Sequence, residues 1–192
     1  MNPFKNEFQR RESVMTTRAF FDKDQPDVYR YSLLKQWGEK REGVRVAAIL
    51  FNPSKATESM LDLTVMNLLN RLTPDPVYYA VEILNMYPIM LTNWRDVNFE
   101  AEIPPEKLKL NLDYIEYTLN RKQTQHVIVG WGAEPGGVYY DSENNQNLVQ
   151  IIKDANKPVL SFGCSKDKRK RWQPRHLRMD HLLEPLAPYP HL

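Results

Sequence analysis

Apolar positions along the chain gather into four short runs separated by stretches of helical spacing. The runs are "VRVAAILF" (44–51), "YYAVEILNMYP" (78–88), "HVIVGWG" (126–132) and "KPVLSFG" (157–163). Apolar runs this short, bounded by glycine, proline and turn-like residues, read as buried strands, predicted at 44–51, 79–85, 126–130 and 158–162. Between them, "LDLTVMNLLNRL" sets Leu61, Val65, Leu68, Leu69 and Leu72 on one helical face, with Asp62 as its N-cap. "PPEKLKLNLDYIEYTLNRK" (104–122) spaces Leu108, Leu112, Ile115 and Leu119 in the same way behind an initial proline. "NQNLVQIIKDAN" (145–156) adds Leu148, Ile151 and Ile152. Strand and helix alternating in this order imply right-handed crossovers and a mainly parallel sheet covered on both faces. The expected fold is α/β, a three-layer α/β/α sandwich on a mainly parallel, four-stranded central sheet. "YRYSLLKQWGEK" (29–40) fits either a short strand or an amphipathic helix. Residues 1–28 and 180–192 read as peripheral or irregular parts of a single domain spanning 1–192.

Composition narrows the class. Hydrophobic residues at 42% and charged residues at 26% of 192 positions describe an ordinary globular chain with a substantial core. No apolar run approaches the ~20 residues of a membrane-spanning helix. The opening "MNPFKNEFQRRESV" lacks the apolar centre of a secretory signal, so a cytoplasmic location with no membrane partner is expected. Cys164 is the only cysteine, which excludes an intramolecular disulfide. The net charge of +2 is too small to mark a nucleic-acid binder, but its distribution is uneven. "KDKRKRWQPRH" (166–176) concentrates Lys166, Lys168, Arg169, Lys170, Arg171 and Arg175 around a single acid, Asp167. A basic run with an embedded Trp suits phosphate gripping and base stacking. A solvated surface loop has the same composition.

The polar residues with chemical capability fall where the strands end. The first strand runs into Asn52-Pro53-Ser54, the second into Asn85, the third into Trp131-Gly132, and the fourth into the basic loop that carries His176. Ligands of open α/β sheets bind at the carboxyl ends of the strands. A parallel sheet therefore brings all four ends to one edge, where Pro53, Ser54, Asn85, Trp131 and Gly132 would line a crevice. Asn52, Asp62 and His176 stand as the catalytic candidates. Pro53 fixes its own φ and disfavours helical geometry at Asn52, so the loop would be set before a ligand arrives. Each residue also has a plainer role. Asn52 can bond its own loop, Asp62 can cap a helix, Trp131 can pack in the core beside a turn at Gly132, and His176 can lie on the surface. Neither a phosphate-cradling Gly-rich loop nor a Gly-x-Ser-x-Gly elbow occurs, and His126, His176, His181 and His191 show no metal-ligand spacing. No cofactor or metal is expected.

The ordered motifs "RYSLLKQW", "ILFNPSKA", "LDLTVMNLL", "ILNMYP", "VIVGWG" and "PRH" resemble the bacterial and phage family known as domain of unknown function 1643, over residues 29–178. That family usually ends the last motif as Pro-x-His-Pro, where this chain has Pro174-Arg175-His176-Leu177. More distantly, strands ending in Asn-Pro, Asn and Trp-Gly, followed by a late His loop, resemble the uracil-DNA glycosylase superfamily. That resemblance implies a base pocket at the carboxyl edge of a four-stranded parallel sheet. It implies that Asn52 positions an attacking water and that Asn85 reads a base through its amide. His176 would stabilise negative charge on the leaving base, and the basic loop would hold phosphates beside a flipped nucleotide. In those glycosylases His-Pro-Ser follows the fourth strand almost directly, whereas His176 lies beyond a charged insertion. The expected partner is nucleic acid or a nucleotide, and the expected activity is hydrolysis of the N-glycosidic bond of a modified base. A non-catalytic nucleic-acid-binding module is the alternative, and a small-molecule enzyme using Asp62 as acid or base is a third reading.

Overall fold

The computed structural model describes residues 12–38, 43–54, 56–91, 98–133, 142–178 and 180–192. Residues 1–11 of the segment expected to be peripheral thus lie outside the described residues. The four apolar runs form the strands β3 (Val44–Leu50), β4 (Tyr78–Asn85), β5 (Thr124–Val129) and β6 (Val159–Ser161). The intervening patterns form α1 (Leu63–Leu72), α3 (Pro105–Asn120) and α4 (Glu143–Asp154), with a short α2 (Phe99–Glu102) before α3. β3 pairs in parallel with β4 on one side and β5 on the other, and β5 pairs in parallel with β6.

The sheet does not stop at these strands. β1 (Thr16–Phe21) and β2 (Arg30–Gln36) form an antiparallel pair that continues the sheet beyond β4, and β9 (Ala187–Pro188) adds antiparallel to β6. The order is β1-β2-β4-β3-β5-β6-β9, so the expected four-stranded, mainly parallel sheet is corrected to a mixed sheet of seven. β1 alternates exposed and half-buried residues, the pattern of an edge strand, and so presents no apolar run. β2 is the opposite case. It is buried almost throughout, which left strand and helix undecided by periodicity. A separate hairpin of β7 (Cys164–Lys166) and β8 (Trp172–Pro174) carries the basic run.

Side chains on successive strand positions pack on opposite faces. Ala47, Ile49, Leu84, Val127 and Val129 join Ile115 and Leu119 of α3 and Leu148 and Ile152 of α4. Val46, Ala48, Leu50, Val81, Ile83 and Ile128 join Val65, Leu68, Leu69 and Leu72 of α1. Leu61, placed on the α1 face by its spacing, is exposed because it precedes the cap. Asp62 is the N-cap of α1, accepting from Val65 N at 2.7 Å. No described helix is long and apolar enough to cross a membrane.

Candidate functional site

Parallel pairing puts the ends of β3 and β4 side by side, with Leu50 registered against Asn85. The ladder continues beyond both strands, since Met86 N donates to Leu50 O at 2.9 Å and Tyr87 N to Phe51 O at 3.1 Å. The far end of β4 is further held by buried asparagines. Asn111 of α3 donates to the carbonyls of Asn85 and Met86, and Asn144 of α4 to that of Met86. At this edge, on the α1 side of the sheet, a cleft of about 260 Å³ opens. Asn52, Ser54, Asp62, Asn85 and His176 all line it, together with Arg30, Arg178, Leu91 and the first residues of α1.

The Asn-Pro-Ser loop is laced in place. Asn52 Nδ2 donates to Pro53 O at 3.0 Å and Leu91 O at 2.8 Å, while Leu91 N donates back to Pro53 O at 3.1 Å. The amide nitrogen of Asn52 therefore serves the loop, and among the described residues nothing donates to its Oδ1. Pro53 is buried and supports the loop without lining the cleft. Ser54 Oγ donates to Asp62 Oδ2, and Asp62 Oδ1 takes the helix N–H, so both carboxylate oxygens are oriented. Asn85 is 1% exposed and its Nδ2 has no hydrogen-bond partner, leaving a buried donor at the cleft. A buried amide without a partner costs stability unless a ligand or water completes it.

His176 follows β8 by two residues. Its Nδ1 accepts from Arg178 N at 3.1 Å, so the neutral ring carries its proton on Nε2. Burial, reinforced by the nearby Arg178 charge and opposed by Asp62, holds its pKa below the usual 6.5. The ring is thus a neutral donor at physiological pH. This segment is tied to α1, where Asn67 Nδ2 donates to Leu177 O at 2.8 Å and Arg178 O at 3.3 Å. Leu177, where the resembled family has proline, is fully buried, and its Cγ lies 3.2 Å from where a Cβ on Gly130 would sit.

Trp131 and Gly132 do not line this cleft. The alternation along β5 explains why: Val127, Val129 and Trp131 share the face covered by α3 and α4, whereas Ile128 faces α1. Trp131 is buried there, donating Nε1 to Gln173 Oε1 at 3.2 Å, and Gly132 takes a φ of +90° that favours glycine. The basic hairpin is partly committed to structure as well. Asp167 accepts from the backbone N–H groups of Arg169 and Arg171 and from Arg171 Nε, while Arg175 pairs with Glu184 and donates to the carbonyls of Cys164 and Leu182. Lys166 lies over the Trp172 ring, which stacks on His191 of the C-terminal tail. Lys166, Lys168, Arg169 and Lys170 remain exposed.

Sequence reasoning missed Arg30 and Arg178. Arg30 opens β2, and because β2 runs antiparallel to β4, its first residue arrives at the carboxyl edge of the parallel strands. The available signal was a cation at the head of an apolar run. Asp62 and His176 are the lining groups with metal-ligand chemistry, and among the described residues no group of three His, Cys, Asp or Glu is placed to hold a metal ion. A family model described as "Protein of unknown function (DUF1643)" matches residues 30–177, which include every cleft-lining residue except Arg178. No curated protein and no solved structure matches the chain.

Proposed function

The chain belongs to the DUF1643 family, described as proteins of unknown function, and within that family we propose that its cleft binds a nucleotide-like ligand and hydrolyses the N-glycosidic bond. The observation that carries this reading is the convergence of Asn52, Ser54, Asp62, Asn85 and His176 on one cleft with two arginines. The roles of Asn52, Asn85 and His176 follow the resemblance to uracil-DNA glycosylases, and Asp62 is added as the base because it lines the same cleft. Water enters between the oriented Asp62 carboxylate and the open Oδ1 of Asn52, both of which accept O–H bonds. As the water oxygen bonds to the sugar C1′, the C1′–N bond breaks and its electron pair leaves with the base. The water's proton passes to Asp62, and the base anion takes a proton from solvent. The Nε2–H of neutral His176 donates to a carbonyl oxygen of the departing base, where a fixed dipole stabilises developing charge. The buried Nδ2 of Asn85 donates to another base acceptor.

The test is chromatographic detection of free base from a panel of nucleotides and modified-base oligonucleotides. Asp62→Asn keeps an effective N-cap, so its fold should survive while turnover falls about 10²–10⁴-fold, the usual size of a lost general base. Base release unaffected by this variant, or no release from any member of the panel, overturns the hydrolytic reading. Binding without release assigns the cleft to a non-catalytic module instead.

A further inference from the structure

Arg30 is among the largest fully buried side chains, 1% exposed, and it lines the cleft. Its Nη1 donates to Ala56 O, whereas its buried Nε has no partner. Among the described residues, Nη1 is the one guanidinium nitrogen with a hydrogen bond. The side-on edge formed by Nε and Nη2 is therefore unpartnered among the described residues, and that edge matches two oxygens of a phosphate or carboxylate. The local charges favour an anion. Asp62 is the acid that bears on Arg30, but among the described residues no ion pair joins the two, and its oxygens take bonds from Ser54 Oγ and Val65 N instead. Arg178 adds a second cation at the lining, whereas Lys35, within electrostatic range of Arg30, is met by the Glu58 charge. Leu63, Thr64 and Val65 bring the amino end of the ten-residue helix α1 to the same cavity. Burial lowers the Arg30 pKa to about 10, so the group stays a cation at neutral pH.

We infer that Arg30 is an oxyanion subsite at the base of the cleft, built for a terminal phosphate; on the nucleobase reading above, the ligand is then a free nucleotide rather than a polynucleotide. A terminal phosphate projects three oxygens on a single bond and can reach a guanidinium this deeply buried. An internal phosphodiester continues on two sides and needs its cation at the surface. Of the basic hairpin, Arg171 and Arg175 are held by Asp167 and Glu184, whereas Lys168, Arg169 and Lys170 stay at the surface, and the oligonucleotide arm of the test decides whether they take one.

Isothermal titration with inorganic phosphate, nucleosides, their 5′-monophosphates and a fully dephosphorylated oligonucleotide tests this. Phosphate should bind, and a monophosphate should bind about tenfold or more tightly than its nucleoside, the scale of one charge-assisted bidentate contact. Arg30→Lys keeps the charge and removes the fork, so it should erase that margin while leaving the nucleoside affinity in place. If the variant does not fold, the wild-type ranking of monophosphate, nucleoside and oligonucleotide still decides. Equal affinity for nucleoside and monophosphate, or tighter binding of the dephosphorylated oligonucleotide, overturns the subsite even if nucleosides bind. Phosphate binding that is lost in Arg30→Lys, with no affinity for any nucleoside, upholds the subsite and overturns the nucleobase reading.

Discussion

His176 shows how much a single hydrogen bond decides. Because the Arg178 N–H occupies Nδ1, the neutral tautomer is set, and Nε2 is the donor left for a ligand. Burial and the Arg178 charge both disfavour the imidazolium. The linkage follows from the direction of the shift. The unfolded chain binds a proton near the usual 6.5 that the folded chain resists, so this residue's contribution is complete above that pH and is lost as pH falls below it. His126, whose pKa is also lowered by burial, acts in the same window. A proton–carbon NMR titration should therefore give His176 a midpoint below 6.5 and Nε2-protonated shifts at pH 7. A midpoint at or above 6.5 contradicts the assignment of a neutral donor.

At the scale of elements, α1 performs two tasks through opposite faces of one turn geometry. Its apolar stripe closes the core, and its amino end lines the cleft. Asn67, buried within that helix, also binds the carbonyls of Leu177 and Arg178 and so seats the His176 segment. Asn67 is a positioning residue. Asn67→Ala leaves two carbonyls short of a donor and should cost about 1–3 kcal/mol in urea unfolding. A purely structural loss would stop there. Positioning further requires the His176 pKa to move toward 6.5 as the segment loosens and rehydrates. An unchanged His176 titration in a destabilised variant removes the positioning role.

Across the whole molecule, polar networks join layers that apolar packing alone would leave free to slide. Glu82 of β4 receives Arg45 of β3, Tyr114 of α3 and Arg121, which caps the carboxyl end of α3. Asp22, between β1 and β2, receives Lys107 of α3 at 2.5 Å, Tyr31 Oη at 2.8 Å and two backbone N–H groups. The Lys107 bond, with help from Tyr31 and the backbone donors and against the opposing effect of burial, holds the Asp22 pKa at about 2. A depressed carboxyl stabilises the fold above its ordinary value of 3.8 and loses that contribution as pH falls toward 2. Urea unfolding of Asp22→Asn should consequently show a deficit at pH 7 that shrinks steadily below about pH 4, as expected of proton linkage. A deficit independent of pH would assign Asp22 to the turn alone.

Local pattern specifies the four parallel strands, the buried faces of three helices and the candidate set Asn52, Ser54, Asp62, Asn85 and His176. These depend on local pattern: short apolar runs, helical spacing, an N-cap, and polar residues at the strand exits or in the segment that follows the last strand. Even the displacement of Trp131 was implicit in the two-residue period of β5, which turns it to the face opposite the cleft. The remaining features are non-local. Nothing near Arg30 in the chain says that β2 lies antiparallel to β4, and that orientation alone delivers the guanidinium to the carboxyl edge. Nor does the basic run reveal that Arg171 and Arg175 find acids, because Glu184 reaches Arg175 only after the chain has folded back. Side chains on a strand know their face from the sequence; their partners across the sheet are set by the order in which the strands assemble.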